Sequence, residues 1–171
     1  MKRLLSTCCC LVFCSMPALA TGKAADGSPM SDQKFVEFVA QTDMVEANLG
    51  QLAQSAASSQ QVKDYAQMLV TDHTGDYNQL YNLAHGANLT IPEAIDDESN
   101  RKMIAPFQKL NGEAFDHHYI HEMIVGHTEA IAIFKKEAAD ATNPALKSYA
   151  EQVLPVLQKH LEEAKALEKA K

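Results

Sequence analysis

The stretch from Phe115 to His127, FDHHYIHEMIVGH, holds four histidines, an aspartate and a tyrosine. Imidazole and carboxylate groups at this density are typical of transition-metal sites, because both are ligands for Zn, Cu, Mn or Fe. On the outer face of a helix the same residues would only form a solvated polar surface. Which of these side chains point toward a protein core therefore decides whether the stretch can do chemistry.

Four long segments with apolar residues at helical spacing predict four helices and no strand, which is an all-α bundle. The predicted helices 1 to 4 span about 32–56, 58–85, 112–140 and 144 to near the end of the chain. Ser31 is a suitable N-cap for helix 1, because a serine side chain can accept a hydrogen bond from the first turn. The candidate ligands must be positioned by these four helices.

Capping residues predict where the later helices begin and end. Ser58 and Gln61 have the spacing of a capping box before helix 2. Gly86 is the predicted C-cap of helix 2. Asn143 followed by Pro144 predicts an N-cap and a first helical position for helix 4.

The connection between helices 2 and 3, residues 87–111, is long for a simple turn and contains Pro92 and Pro106. A short helix is predicted within it, from about Asp97 to Leu110. Such a segment can cross a bundle of about 40 Å, at about 1.5 Å per helical residue and about 3.3 Å per extended one. Its length permits a crossover, and it equally permits an up-down bundle with a folded-back loop.

A helical wheel at about 100° per residue places one polar group inside the apolar arc of each helix. These groups are Glu46, His73, His127 and His160. All four lie near the middle of their helices, so they stay roughly level whichever way each helix runs. One carboxylate and three imidazoles at one level predict a site for a single Zn, Cu, Mn or Fe ion.

The wheel divides the histidine-rich stretch into two parts. Three histidines lie toward the edge of the apolar arc or on the polar side of the helix, and we interpret them as part of a solvated face: His117, His118 and His121. Asp116 and Tyr119 lie in the apolar arc with His127. Ligating histidines usually donate their second N–H to a nearby partner, so Asp72, Asp116 and Tyr119 are predicted to support the ligands.

Two other interpretations of the inward groups stay open. Glu46 and the histidines could form a buried hydrogen-bonded network that fixes helix register in a structural or interaction protein of the cell envelope. An enzyme such as a hydrolase is less favoured, because the sequence offers no nucleophile and base with a supporting local motif. No motif for an organic cofactor is evident.

The first residues are typical of a secretory signal peptide cut after Ala20. Lys2 and Arg3 form a basic start, residues 4–16 are apolar but short for a membrane span, and Ala18 and Ala20 give a small-x-small pattern. We therefore expect a periplasmic or secreted protein with a flexible tail over 21–30 and a single bundle domain over 31–171.

A lipoprotein anchor is the less favoured alternative for this segment. Cys14 follows the bulky Phe13, and Cys8 lies too near the start to follow an apolar region. All four cysteines lie before Ala20, so cleavage there would leave a chain without thiolates. Any metal would then be bound by His, Asp, Glu, Tyr or Met side chains.

Charge and hydropathy exclude two classes of partner. Removal of Lys2 and Arg3 with the signal peptide lowers the formal net charge from −7 to −9. A chain this acidic is a poor binder of nucleic acid. No segment after residue 20 is apolar enough to be a transmembrane helix.

Residues along all four predicted helices form one combined pattern, which in chain order is Glu46, Gly50, Ala53, Asp72, His73, Gly112, Phe115, Asp116, Tyr119, His127, Leu154, Pro155, Leu157 and His160. This pattern resembles the bacterial domain-of-unknown-function family 4142, a group of exported proteins placed with ferritin-like four-helix bundles. The resemblance covers nearly all of the chain after residue 20, and it implies the fold and export but little about activity.

The wider resemblance to ferritin-like proteins favours one metal ion over two. Di-iron members carry Glu on two helices and Glu-x-x-His on the other two. Here the order is reversed, with His73 before Asp76 and His160 before Glu163, and helix 3 offers His127 where Glu is expected. The sequence therefore favours a mononuclear, histidine-rich site.

Overall fold

The computed structural model describes residues 30–170, and over this range the chain is all-α, with no β-strand. The signal peptide and nearly all of the tail predicted from the sequence lie outside the described residues. Four long helices make up the bundle: α1 Asp32–Ala56, α2 Gln60–Gly86, α3 Gly112–Asp140 and α4 Pro144–Lys169. The four predicted helices are thereby confirmed, with bounds within a few residues of those expected.

The connection between α2 and α3 is a crossover that runs the length of the bundle. Ala57, between α1 and α2, forms an isolated parallel backbone bridge with Gly112 at the start of α3. α3 therefore begins at the end of the bundle where α2 begins, and the connection returns from the opposite end. Gln33 and Gln41 of α1 hold the first part of the connection through hydrogen bonds to its backbone. One long crossover in a four-helix bundle is compatible with the ferritin-like arrangement.

The short helix expected within the connection is broken into three turns. Asp97–Ser99 is α-helical, Asn100–Ile104 is a π-turn, and Phe107–Lys109 is a 3₁₀ turn. Pro106 has no N–H with which to continue the helix, which accounts for the interruption before the last turn. Phe107 then packs on α3, with its ring centroid 5.7 Å from that of Phe115.

The N-terminus of α2 differs from the prediction. Its N-cap is Ser59, which makes no capping hydrogen bond through its side chain, so the expected capping box of Ser58 and Gln61 is wrong. Instead, Asp116 of α3 accepts hydrogen bonds from the backbone N–H groups of Ser58 and Ser59 and from the Ser58 hydroxyl. A carboxylate from another helix thus satisfies the donors at this helix end.

Two other helix ends show what a local pattern can predict. The Asn143 side chain accepts hydrogen bonds from the first turn of α4, as expected. Gly86, the predicted C-cap of α2, is instead its last helical residue. The left-handed conformation that often follows a helix is adopted by Asn88, at φ 57°, since asparagine tolerates this region better than most residues.

The core consists of two apolar clusters separated by a polar layer. One cluster is centred on Phe35, Phe134 and Tyr149, and the other on Leu69 and Phe115. The mid-helix polar residues lie between them along every helix. Within residues 30–170, none of the helices combines the length and apolar character needed to span a membrane.

Candidate metal centre

The four inward polar groups meet in the middle of the bundle, one from each helix. Glu46, His73, His127 and His160 are 5, 3, 0 and 1 % exposed. Glu46 Oε2 lies 3.0 Å from His73 Nε2 and 3.5 Å from His127 Nε2. His127 Nε2 lies 3.2 Å from His160 Nδ1. The three imidazoles offer nitrogen atoms that all lie within 4.8 Å of one another, and the Glu46 carboxylate contacts two of the rings, His73 and His127.

The other nitrogen of each histidine is held by a partner outside the cluster. His73 Nδ1 lies 2.8 Å from Asp43 Oδ1, and His160 Nε2 lies 2.9 Å from Asp72 Oδ2. His127 Nδ1 lies 2.9 Å from the backbone carbonyl oxygen of Met123.

These outer partners decide where the ring protons reside. A carbonyl oxygen can only accept, so the Nδ1 of His127 must carry a proton. A carboxylate oxygen of Asp72 faces His160 Nε2 and can accept from it in the same way. Burial raises the pKa of Asp43 to about 7, so above that pH Asp43 is an ionised acceptor for His73 Nδ1. In a neutral ring the inward nitrogen then presents a lone pair, and three such lone pairs converge beside the Glu46 carboxylate.

Converging lone pairs require a cation between them. If His127 and His160 are both neutral, their inward nitrogens repel each other at 3.2 Å. A proton or a metal ion removes that repulsion. Ligands bound tetrahedrally at about 2.0–2.1 Å stand about 3.3 Å apart, which is close to the 3.0, 3.5 and 3.2 Å found here.

The contact between His73 and Glu46 also lacks the alignment of a hydrogen bond. Nε2 and Oε2 are 3.0 Å apart, yet neither atom has a hydrogen-bond partner among residues 30–170. The oxygen lies off the axis of the ring nitrogen. Two ligand atoms of one metal ion are also close together without being aligned for a hydrogen bond, because the lone pair of each points to the ion and not to the other ligand.

Electrostatics keep a negative charge in this layer. Burial opposes ionisation of Glu46, but the charges of His127 and His73 outweigh it and lower its pKa to about 2. Burial, together with the like charges of His73 and His127, lowers the pKa of His160 to about 4, against the opposing hydrogen bond to Asp72. In the metal-free protein the buried carboxylate is thus balanced by a positive imidazolium, a role that a bound metal ion would take over.

The predicted supporting residues divide three ways. Asp72 contacts a candidate ligand, His160, as described above. Asp116 lies elsewhere, because its carboxylate caps α2 and makes its hydrogen bonds to Ser58 and Ser59. The Tyr119 hydroxyl is buried and has no hydrogen-bond partner in the described part of the chain. Burial and the charge of Glu46 raise the pKa of Tyr119 well above its usual value.

The reversed motifs do not bring further carboxylates to the cluster. Asp76 accepts a hydrogen bond from the Tyr149 hydroxyl at 2.7 Å. Glu163 is half-buried, and its Oε1 lies 3.7 Å from Lys159 Nζ. Asp43, which the sequence places one turn before Glu46, is the neighbouring carboxylate that does reach the cluster, through His73 Nδ1.

The remaining histidines of the opening stretch lie away from the site. His117 and His121 are exposed, as the wheel predicted. His118 is half-buried and lies on Phe107 of the crossover, with ring centroids 4.6 Å apart. Only His127 of this stretch reaches the polar layer.

Comparison with known proteins gives one match. Residues 17–167 match the family model described as "Domain of unknown function (DUF4142)". This range contains all four inward groups and almost the whole bundle. No curated protein and no solved structure matches the chain significantly.

Proposed function

The chain belongs to the domain-of-unknown-function family 4142, and because that description assigns no activity, we propose a function from the site itself. We propose that this is an exported, ferritin-like bundle that binds one transition-metal ion between its four helices. The ligands are Glu46, His73, His127 and His160.

The observation that carries this proposal is the fixed outward hydrogen bonding of all three imidazoles. Asp43, Met123 and Asp72 each place an oxygen on the outer nitrogen of one ring, so a neutral ring with its proton on that side presents its inner lone pair to the cluster. Partners of this kind are what orient ligating histidines in metalloproteins. Structural hydrogen bonding alone gives no reason for three lone pairs to face one another.

The donor set indicates which ions are suitable. Three imidazoles and one carboxylate suit Zn, Cu or Fe, and Mn less well, whereas Mg and Ca prefer oxygen ligands. All four side chains are buried, and a closed set of protein ligands favours retention of the ion. Storage or sequestration is therefore favoured over a redox reaction that needs an open position for a substrate.

Metal content and affinity test the proposal. The protein is purified without an affinity tag, its metal is measured by elemental analysis, and Zn²⁺ is titrated by calorimetry into the metal-free form. We expect one ion per chain in the wild type and none in His127→Ala. His121→Ala, an exposed histidine of the same helix, is the matched control and should bind like the wild type. A wild-type protein that holds no metal and takes up none of Zn, Cu, Mn or Fe would refute the proposal.

A buried network without metal is the second candidate, and the surroundings of His73 favour it. The ring lies between Asp43 and Glu46. Burial favours the neutral ring, but the charges of Glu46 and Asp43 raise the pKa of His73 well above its usual value. An imidazolium there could balance Glu46 in a structural or interaction protein of the cell envelope.

Thermal unfolding separates the two candidates. The network predicts that His160→Gln lowers the melting temperature while added Zn²⁺ leaves the wild type unchanged. Metal binding predicts that Zn²⁺ raises the melting temperature of the wild type, because a ligand that binds only the folded state stabilises it. A rise of several degrees would exclude the network as the whole explanation.

A further inference from the structure

A cleft between α2 and α4 reaches two of the four ligands from the surface. Its volume is about 190 Å³, and its lining includes His73 and His160. This volume has room for several water molecules, and so for an ion that keeps part of its hydration shell. The cleft thus connects solvent to a site whose ligands are otherwise buried.

The two walls of the cleft differ in chemistry. α2 contributes the carboxylates of Asp72 and Asp76, whereas α4 contributes the apolar side chains of Val153, Val156 and Leu157. Val156 is 39 % exposed, so it lies where the cleft meets solvent. Acidic groups on a low-dielectric wall attract cations and raise their local concentration.

Asp72 connects the cleft to the ligands. Its side chain is 36 % exposed, yet one carboxylate oxygen lies 2.9 Å from His160 Nε2. The same carboxylate can therefore contact an ion in the cleft and a ring that binds the ion in the core. Asp43, which holds His73, is 3 % exposed and offers no such contact with solvent.

We infer that the α2–α4 cleft is the route by which a hydrated divalent metal ion reaches and leaves the site, with Asp72 as the first protein group that it meets. The inference rests on the proposed function. It concerns the rates of uptake and release, whereas the proposed function concerns whether an ion binds at equilibrium.

Closing the cleft at its rim tests this route. In Val156→Trp the indole fills the cleft, while Gln158→Trp places the same group on an exposed position of α4 that does not line it. Zn²⁺ uptake by the metal-free protein is followed by stopped flow with a fluorescent zinc indicator, and release is followed with excess chelator. Because Kd is the ratio of the two rates, a blocked route slows both and leaves Kd unchanged.

We expect Val156→Trp to slow uptake and release by about tenfold, a barrier higher by about 1.4 kcal/mol, with Gln158→Trp at wild-type rates. Gln152→Trp, a second exposed position on the cleft lining, should act like Val156→Trp. Equal rates in all four proteins would overturn the route and favour access near Gly126, where an added Cβ would lie 3.8 Å from Glu46 Oε1.

Asp72→Asn tests the role of the carboxylate within the same assay. Asparagine keeps an oxygen that can accept from His160 Nε2–H but removes the charge, so uptake should slow at low ionic strength. Salt screens attraction between exposed charges, so the difference from wild type should shrink at high salt. If Asp72→Asn slows Zn²⁺ uptake by the same factor at all salt concentrations, Asp72 only positions the His160 ring. Wild-type protein that takes up none of Zn, Cu, Mn or Fe would overturn both proposals, whereas Zn²⁺ binding with unchanged rates in Val156→Trp overturns only the route.

Discussion

At the scale of single residues, the polar layer depends on which nitrogen of each histidine carries its proton. The sequence was sufficient to select Glu46, His73, His127 and His160, because one wheel position in each helix sets burial. It placed Asp72 among the supporting residues, but it could not assign the carbonyl of Met123, which has no sequence signal at all. Contacts between helices, such as that of Asp72 with His160, depend on the rotation of each helix about its axis. The hydrophobic periodicity of a sequence does not determine this rotation precisely.

The outer partner of His73 gives the first prediction at this scale. At pH 8, above the pKa of about 7 to which burial raises Asp43, Asp43→Asn removes the charge that orients the ring, and loss of such a partner lowers metal affinity by about 10–100-fold. Calorimetric titration with Zn²⁺ measures the change. Asp64→Asn, an exposed aspartate on α2, should leave affinity unchanged, and equal affinities in the two variants would contradict the assigned role of Asp43.

A second prediction concerns Glu137, a buried carboxyl on α3 that the wheel did not single out. Burial, and then the charge of Asp32, raise its pKa to about 7 from an ordinary value of 4.5. The folded state therefore binds the proton more tightly than the unfolded state. Ionising Glu137 in the folded state costs free energy. This cost is absent below the ordinary pKa of the carboxyl and develops as the pH rises to about 7, so the free energy of unfolding falls over that range.

Glu137→Gln should remove this pH dependence. We expect stability equal to wild type at pH 4 and higher by roughly 1–3 kcal/mol at pH 8. Urea unfolding at both pH values measures the difference. A variant that is less stable than wild type at pH 8 would show that the ionised carboxylate has a stabilising partner.

At the scale of elements, sequence patterns located the helices but not all the groups that end them. The N-cap at Asn143 follows from neighbours in the chain. The cap of α2 comes from Asp116, 57 residues from Ser59, and no local pattern can report a bond at that separation. The same contact explains why Asp116 points inward on the wheel without joining the histidines.

Asp116→Ala should therefore affect folding and leave metal binding unchanged. The substitution removes three hydrogen bonds at the start of α2, and loss of a helix cap with charged acceptors costs about 2 kcal/mol. Urea unfolding of the metal-free protein measures this loss. A large fall in Zn²⁺ affinity at a temperature where the variant is folded would show that Asp116 contributes to metal binding.

The packing of α1 on α2 gives a prediction with an internal control. A Cβ at Gly50 would lie 2.6 Å from Val70 Cγ2 and 2.8 Å from the Ala66 carbonyl oxygen, whereas a Cβ at Gly75 meets nothing within 4 Å. Gly50→Ala should destabilise the protein by about 1–3 kcal/mol through overpacking. Gly75→Ala should stabilise it by about 0.5–1 kcal/mol, because alanine favours the helix. Thermal unfolding of the two variants tests the close approach of α1 to α2 at Gly50. Equal shifts of the melting temperature in the same direction would contradict it.

At the scale of the whole molecule, the sequence left the path of the 87–111 connection open. Its length permitted two topologies, and only contacts distant in sequence distinguish them, such as the bridge of Ala57 with Gly112. The level of the four inward polar groups was predictable without this knowledge. A mid-helix residue keeps its height when a helix is reversed, which is why the buried polar layer could be predicted before the topology.

The stability of the folded chain should follow metal concentration. A ligand at about 100 times its Kd adds about 2.7 kcal/mol to the free energy of unfolding, which for a domain of this size is roughly 5–10 °C in melting temperature. Differential scanning fluorimetry with increasing Zn²⁺ measures the rise. His127→Ala should show no such rise, and a similar rise in that variant would indicate metal bound elsewhere.

The division of the bundle into two hairpins has a consequence for the order of assembly. Glu46 and His73 belong to the hairpin of α1 and α2, and His127 and His160 to that of α3 and α4. Each hairpin can form from contacts close in sequence, but it supplies only two of the four proposed ligands by itself. The complete set exists only after the crossover brings the hairpins together, a slower step because its contacts are distant in sequence. Capture of the ion is therefore expected as a late event, and the ion would then cross-link two halves of the chain that fold separately.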